Sequence, residues 1–294
     1  MKTVGITGVS RAQKFSPNCE NNDSLIFCAV ADELRKRNFV VNEVSESDIT
    51  ALASCNDAYC FSMARGGEAL AILRKKEEQG MLVVNSASSL LLNHRAAITR
   101  AFSLDIIPAP ESEVLVNGEM PSMPFPFWLK RGDACAQSCN DVRYVDSNES
   151  LRCAIEDFKR RDISCVVANE HLSGDLVKFY GVVGTDFFYT CLPTENGKSG
   201  KFGLEQINGE PHRYSYNLRH LHEVCTRAAK LLGFVVYGGD CIVGEDGKFK
   251  IIDFNDWPSF SRCRYEAAAA IAEAICAAVL KRQEAEKAAV SLLR

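Results

Sequence analysis

Three oxygen-bearing side chains near the C-terminal end of the chain have types and spacing that suit a cation site. Asp253 and Asn255 stand two residues apart in the run IIDFNDWP, residues 251–258. Alternate side chains of an extended strand share a face, so both would point away from Ile252 and Phe254. Polar clusters before a proline are also common turn chemistry, and a strand that leaves the core through an Asx turn is the competing interpretation.

A third acid joins this pair if the preceding segment forms a β-hairpin. The predicted hairpin covers residues 235–254 and turns at Asp246, which a glycine follows. Strand pairing would bring Asp240 opposite the end that carries Asp253 and Asn255. Hard divalent cations prefer oxygen ligands, and Mg²⁺ commonly takes one or two carboxylates while phosphates and waters complete its octahedron. The three side chains are therefore candidate ligands of a Mg-nucleotide.

A phosphate site also needs cations and a clamp for the nucleoside. Lys130 follows the apolar run 127–129, an unusual position for a lysine unless its ammonium meets an anion or snorkels to solvent. Residues 166–172 form an apolar run that emerges into polar residues, where exposed backbone could pair with a purine edge. Asp175 and Lys178 follow. In an extended strand they lie on opposite faces, so a joint role would require a turn or bulge.

The elements that would position these residues begin with an alternation of strands and helices. Apolar strands are predicted at residues 3–7, 40–44, 57–62 and 81–84. Strands separated by helical patterns predict a parallel sheet with covering helices. A helix is expected over residues 90–104, and the polar, glycine-punctuated residues 195–211 are expected to form a loop or hairpin.

Composition limits the kind of protein. The 294 residues can bury a large core, and a net charge of −4 argues against a surface built for nucleic acid. The longest apolar stretch, residues 267–280, contains Glu273 and is too short to span a bilayer. Thirteen cysteines, an odd and scattered set without a C-x-x-C pair, predict reduced thiols. No signal peptide precedes Thr3, so we expect a cytoplasmic protein.

The order of the motifs resembles the ATP-grasp superfamily, and within it the branch of the ribosomal-protein glutamate ligase and glutathione-synthetase-like enzymes. The resemblance covers most of the chain. Its landmarks are MARGG at 63–67, QGMLVVNS at 79–86, NHR at 93–95, IPAP at 107–110, LK at 129–130, NEHLSGD at 169–175, GD at 239–240 and DFNDWP at 253–258. In this context a cation site at Asp253 is favoured over an isolated turn.

This resemblance implies a fold class of α/β and α+β. A Rossmann-like pre-ATP-grasp domain would precede a two-lobed ATP-grasp fold, with the nucleotide bound between the lobes. The expected boundaries are residues 1–88 for the Rossmann-like domain, 89–168 for the central lobe, and 169–294 for the C-terminal lobe that carries the metal site.

The resemblance also implies roles for matching residues. The implied ligands of Mg²⁺, or of Mn²⁺ in its place, are Asp240, Asp253 and Asn255. The implied ATP contacts are Arg95, Lys130, Asn169, Glu170, His171, Leu172, Asp175 and Lys178. Within that set Lys130 would hold phosphate, residues 169–172 would meet adenine and Asp175 would meet ribose. Lys178 would approach the terminal phosphate, and Arg95 stands where many members have a lysine.

Three arginines are candidate substrate anchors. Arg65 follows a predicted parallel strand, at the edge where such sheets usually bind ligands. Arg262 and Arg264 lie just past the strand that carries Asp253 and Asn255, and they could bind a substrate carboxylate through paired hydrogen bonds. Arg262 and Lys178 are also the candidate catalytic groups. For each arginine a surface salt bridge is the competing interpretation.

The segment after the phosphate lysine departs from the family pattern. In ATP-grasp proteins that have a glycine-rich loop here, the backbone amides of the loop cover the triphosphate. Residues 132–139 of this chain contain only one glycine, and they include Asp133. This acid would repel phosphate unless it is turned outward or paired. Ser259 stands where a glycine is usual.

The function implied is an ATP-dependent carboxylate-amine ligase that works through an acyl phosphate and forms ADP and phosphate. Its partners would be a small-molecule or peptide carboxylate and an amine, without nucleic acid or membrane, and a homo-oligomer is allowed. One alternative is a small-molecule kinase of the inositol-phosphate type, which the missing glycines favour. Another is a nucleotide-binding regulatory protein with weak or no turnover.

Overall fold

The chain forms three four-stranded β-sheets with helices packed against them, within the part that the structure describes. The structure is a computed structural model that describes residues 3–16, 20–193, 207 and 209–292. Most of the loop expected at residues 195–211 lies outside these ranges. No helix in the described ranges combines the length and apolar character needed to cross a membrane.

The N-terminal sheet is parallel, as the alternation of apolar segments predicts. Its strands, in the order β2-β1-β3-β4, are β1 (Val4–Ser10), β2 (Phe39–Ser45), β3 (Tyr59–Ser62) and β4 (Leu82–Val84). Its helices are α1 (Glu20–Lys36), α2 (Ile49–Ser54) and α3 (Gly67–Glu78), after a short 3-10 turn at Gln13–Phe15. Helix α1 buries Ile26, Val30 and Leu34, which are spaced one turn apart on a single face.

The second sheet is antiparallel and has the order β5-β8-β6-β7. Its strands are β5 (Ser112–Val116), β6 (Phe127–Arg131), β7 (Val142–Val145) and β8 (Cys165–Glu170), with a 3-10 turn at Cys139–Asp141 before β7. Helix α6 (Asn148–Arg160) covers one face with Leu151, Ile155 and Phe158, and Ser147 caps its N-terminus.

The helix expected over residues 90–104 is two helices, α4 (Ala87–Leu92) and α5 (Arg95–Leu104). The break lies at Asn93, whose side-chain amide donates to the carbonyl of Ser89 at 2.8 Å and to that of Leu232 at 2.7 Å. The bond to Leu232 holds the C-terminal end of α4 against a helix that lies 139 positions further along the chain. Arg95 therefore begins a new helix and points from its first turn.

The third sheet is antiparallel with the order β10-β9-β11-β12. It contains β9 (Asp175–Val182), β10 (Phe188–Cys191), β11 (Val236–Val243) and β12 (Phe249–Asp256). Helix α7 (Leu218–Leu232) ends at Gly233, whose φ of 70° is the left-handed conformation of a helix C-terminus. The final helix is α8 (Arg264–Leu292).

The first and third sheets share a hydrophobic core. Ile6 and Leu34 from the N-terminal part belong to the same buried cluster as Trp257 and Ile271. Asn85, which is fully buried, accepts the backbone amides of Val235 and Val236 and donates to the carbonyl of Val236, each at 2.8 Å. These contacts fix the carboxyl end of β4 beside the start of β11.

Candidate active site

A row of charged side chains crosses the third sheet on one face. Lys178 of β9 is the register partner of Asp240 of β11, and Asp240 is in turn the partner of Asp253 of β12. The side-chain amide of Asn255 donates to Asp253 Oδ2 at 2.8 Å. The hairpin thus brings Asp240, Asp253 and Asn255 together in one cleft of about 900 Å³.

The chemistry of these three side chains fits a hard divalent cation. Two carboxylates and one amide oxygen are the ligand types that Mg²⁺ accepts, with the remaining positions left to phosphate and water. Within the described ranges, no group of three His, Cys, Asp or Glu side chains could hold an ion.

Each of the two carboxylates is paired with a cation. Arg95 Nη1 lies 2.8 Å from Asp253 Oδ1, and Lys178 Nζ lies 2.9 Å from Asp240 Oδ1. The thiol of Cys135, from the segment after β6, donates to Asn255 Oδ1 at 3.4 Å. All three candidate metal ligands thus have a protein partner.

Charge and burial shift the pKa of two groups in the cleft. Burial alone would raise the pKa of Asp253, but Arg95 and Lys130 outweigh it and lower that pKa to about 2. Burial lowers the pKa of Lys130 to about 8, and the nearby Arg95 adds to this effect. Lys130 is 6% exposed, and its ammonium donates to the carbonyl of Ile252 at 2.9 Å. Lys130 is therefore held beside β12, the strand that carries Asp253 and Asn255.

The opposite wall of the cleft comes from the end of β8. Asn169, Glu170 and Leu172, which the sequence predicts to meet adenine, line the cleft, and the adenine contact stays a prediction. Asn169 donates to Ser112 Oγ at 2.7 Å, which orients its amide. Glu170 is ion-paired with Lys250 of β12, so this carboxylate joins the second sheet to the third.

Two expected nucleotide contacts do not reach this wall. The ring of His171 packs against Tyr144 and accepts the indole N–H of Trp128 at 3.1 Å, and burial lowers its pKa. Asp175 is 2% exposed and accepts the backbone amides of residues 212 and 214 at 2.6 Å each. Asp175 and Lys178 do lie on opposite faces of β9. The structure places the Asp175 carboxylate against these backbone donors, and its contact with ribose stays a prediction.

The acid in the segment after β6 is paired. Asp133 Oδ2 accepts from Arg131 Nη2 at 3.0 Å, and its other oxygen accepts from Arg131 Nε. Further along, the buried Asp141 accepts the backbone amides of Gln137 at 2.7 Å and Ser138 at 3.0 Å. These bonds order the segment and neutralise the acid that would otherwise repel phosphate.

A cluster of arginines lines the end of the cleft beside the N-terminal sheet. Arg65 Nη2 lies 3.0 Å from Asp256 Oδ1, so this expected substrate anchor is ion-paired. Arg11 shares Asp256 and also pairs with Asp23 at 2.9 Å. Arg11 was not singled out from the sequence. It directly follows β1, and the strand-end rule used for Arg65 would have found it.

Arg262 and Arg264 line the same end of the cleft. Arg262 donates to the carbonyls of Leu192 and Pro193 at 2.8 Å each. Arg264 donates to Asn22 Oδ1 at 2.9 Å. In these bonds both guanidinium groups donate to neutral oxygens, and both arginines line the cleft.

No family model and no curated protein matches the sequence. Solved structures, in contrast, superpose on nearly the whole chain. A RimK-domain ATP-grasp protein from Sphaerobacter thermophilus superposes with a TM-score of 0.64 at 18% identity, over 92% of this chain and 99% of that one. D-alanine–D-alanine ligase from Bacillus anthracis, complexed with ATP, gives 0.66 at 12% identity over 96% and 99%. The ATP-grasp ligase PsnB, complexed with a minimal precursor, gives 0.61 at 16% identity over 94% and 99%. The chain has the ATP-grasp fold.

The ATP-grasp cleft of this chain receives side chains from all three sheets. The second sheet contributes Lys130, the third contributes Asp240 and Asp253, and the N-terminal sheet contributes Arg11 and Arg65 from the ends of its strands. Side chains from three separate sheets therefore line one cleft.

Proposed function

We propose that this protein is an ATP-dependent ligase that joins a carboxylate to an amine. The observation that carries the proposal is the meeting of Asp240, Asp253 and Asn255 with Lys130 and Lys178 in one cleft of an ATP-grasp chain. The likeness to ATP-grasp ligases, one of them complexed with ATP, supports the same activity.

In this proposal the three sheets correspond to three domains. Residues 1–88 are a Rossmann-like domain, 89–168 the central lobe and 169–294 the C-terminal lobe. The nucleotide lies between the two lobes, with adenine against Asn169, Glu170 and Leu172. Mg²⁺ would be held by Asp240, Asp253 and Asn255 and would neutralise charge on the phosphate oxygens.

The reaction proceeds in two steps. A carboxylate oxygen of the donor attacks the γ-phosphorus, the bond to the β,γ-bridging oxygen breaks, and ADP leaves. The amine nitrogen of the acceptor then attacks the acyl carbon, phosphate leaves with the bonding electrons, and the nitrogen loses a proton. No covalent enzyme intermediate is required, so the cysteines and histidines have no assigned chemical role.

The cationic side chains stabilise the charge that develops in the first step. Lys130 and Arg95 hold the phosphates, and Lys178 approaches the terminal phosphate. Fixed charges of this kind are usually the largest contribution to transition-state stabilisation. Arg262 and Arg264 would orient the substrate carboxylate by charge-assisted hydrogen bonds, with Arg262 close to the reacting group.

A product assay tests the proposal. The purified protein is supplied with Mg-ATP and with pools of carboxylic acids, amines and polyols, and the release of ADP and phosphate is followed. We expect release that requires both an acid and an amine, with a new amide in the product. Phosphate found on a hydroxyl compound would instead indicate a kinase. Tight ATP binding with no product of either kind would indicate a regulatory protein.

A further inference from the structure

We propose that Arg95 and Lys178 are stand-in cations. They neutralise the metal-binding carboxylates when the site is unliganded and move onto phosphate when a Mg-nucleotide binds. The cation and the nucleotide would then bind as a coupled pair. This inference rests on the nucleotide site proposed above and adds positioning roles for Arg95 and Lys178.

The hydrogen bonds of Asp253 support the first half of this exchange. Its Oδ1 accepts from Arg95 at 2.8 Å and its Oδ2 accepts from Asn255 at 2.8 Å, so neither oxygen is without a donor. Asp240 Oδ1 accepts from Lys178 at 2.9 Å. An incoming cation would have to take oxygens that already belong to two ion pairs.

The burial of these pairs makes that displacement costly for a cation alone. The side chain of Arg95 is 12% exposed and that of Asp253 is 28% exposed. Removing one partner from a partly buried ion pair leaves an uncompensated charge. A lone dication would also lie beside Arg95, Lys178 and the buried Lys130, which would repel it.

A nucleotide removes this cost because it brings its own anionic oxygens. Arg95 and Lys178 can then donate to phosphate while the two carboxylates bind the cation, and every charge keeps a partner. Arginine suits this exchange, since its planar fork binds carboxylate and phosphate with similar geometry. By reciprocity, the factor by which nucleotide tightens cation binding equals the factor by which cation tightens nucleotide binding.

Removal of one stand-in charge therefore has opposite effects on the two ligands. Without the guanidinium, Asp253 is open to a free cation, so cation binding alone should become tighter. Nucleotide binding should become weaker, because one phosphate donor is lost. A residue that only supports the fold would weaken both, and a residue that only contacts phosphate would leave free-cation binding unchanged.

The test measures binding of Mn²⁺ to the full chain by electron paramagnetic resonance, with and without a non-hydrolysable ATP analogue. For Arg95→Met we expect free Mn²⁺ to bind about tenfold tighter and the enhancement by the analogue to fall by a similar factor, within the ~5- to 150-fold range of such couplings. Arg219→Met is the matched control, since Arg219 is an exposed arginine that pairs with Glu223 on α7, and it should leave both values unchanged.

Lys178→Met provides the second, independent variant and should shift both affinities in the same directions through Asp240. Circular dichroism identifies any variant that fails to fold. If only one of the two variants folds, its Mn²⁺ affinities alone test the inference. Free Mn²⁺ affinity that is unchanged or weaker in the folded variants would overturn the inference while leaving the nucleotide site intact. Failure of the wild-type chain to bind Mn²⁺ with the analogue would overturn both the inference and the proposed function.

Discussion

Asp240 and Asp253 face each other across β11 and β12, and each is neutralised by a cation of different origin. Lys178 comes from β9, the strand beside Asp240 in the same sheet. Arg95 comes from the start of α5, 158 positions before Asp253 in the chain. One pair follows from strand register, and the other requires α5 to pack against the sheet.

Asp253→Ala should nearly abolish metal-dependent turnover. It removes a candidate metal ligand and leaves Arg95 without its carboxylate partner. We expect ADP formation to fall by about 10²- to 10³-fold, the scale on which single electrostatic contacts act in catalysis. Initial rates with the active substrate pair measure the loss. Asp246→Ala, an exposed acid at the turn of the same hairpin, is the control and should keep wild-type activity.

Nucleotide affinity should fall at high pH because of Lys130. The pKa of its ammonium is lowered to about 8 in the unliganded chain, and only the charged form attracts phosphate. Affinity is therefore fully present below pH 8 and should decrease about tenfold per pH unit above it, until the pKa of the complex is reached. Titration calorimetry across this range measures the slope. In Lys130→Met the slope should vanish, and an equal slope there would refute the assignment.

Arg264→Ala should weaken binding of an anionic substrate more than it slows the chemical step. Loss of one charge-assisted hydrogen bond costs about 1.5–3 kcal/mol, which is roughly a 10- to 100-fold rise in KM. Steady-state kinetics with the acid and the amine varied separately would show which substrate it holds. Arg282→Ala, an arginine paired with Glu286 further along α8, should leave both KM values unchanged.

Asn85→Ala should destabilise the fold by about 3 kcal/mol. Asn85 is fully buried and satisfies two backbone amides and one carbonyl at the start of β11. Each buried polar group left without a partner costs about 1–3 kcal/mol. Urea unfolding followed by circular dichroism measures the change. Asn42→Ala, an exposed asparagine that bonds Asp57, should cost about 0.5 kcal/mol or less.

Local patterns were enough to predict several parts of this fold. The four parallel strands followed from the alternation of apolar runs, because each strand and helix carries its own periodicity. The pairing of Asp240 with Asp253 followed from the turn between two adjacent strands. The opposite facing of Asp175 and Lys178 followed from alternation along one strand.

Contacts between distant segments account for the features that sequence patterns did not predict. The helix expected over residues 90–104 is divided because Asn93 bonds to Leu232, 139 positions away. Asp175 faces backbone donors of residues 212 and 214, which no pattern around Asp175 indicates. The pairing of Arg11 with Asp256 likewise depends on how the first and third sheets pack.

The sequence by itself determined which side chains could bind a cation and a phosphate, since residue type and strand alternation are local properties. It also determined that Asp253 and Asn255 share a face. Only the tertiary structure decided which charge neutralises which, because Arg95, Lys130 and Asp253 lie far apart in the chain and meet only after their sheets and helices have packed. Long-range packing sets those distances, and electrostatic pairing depends on distance.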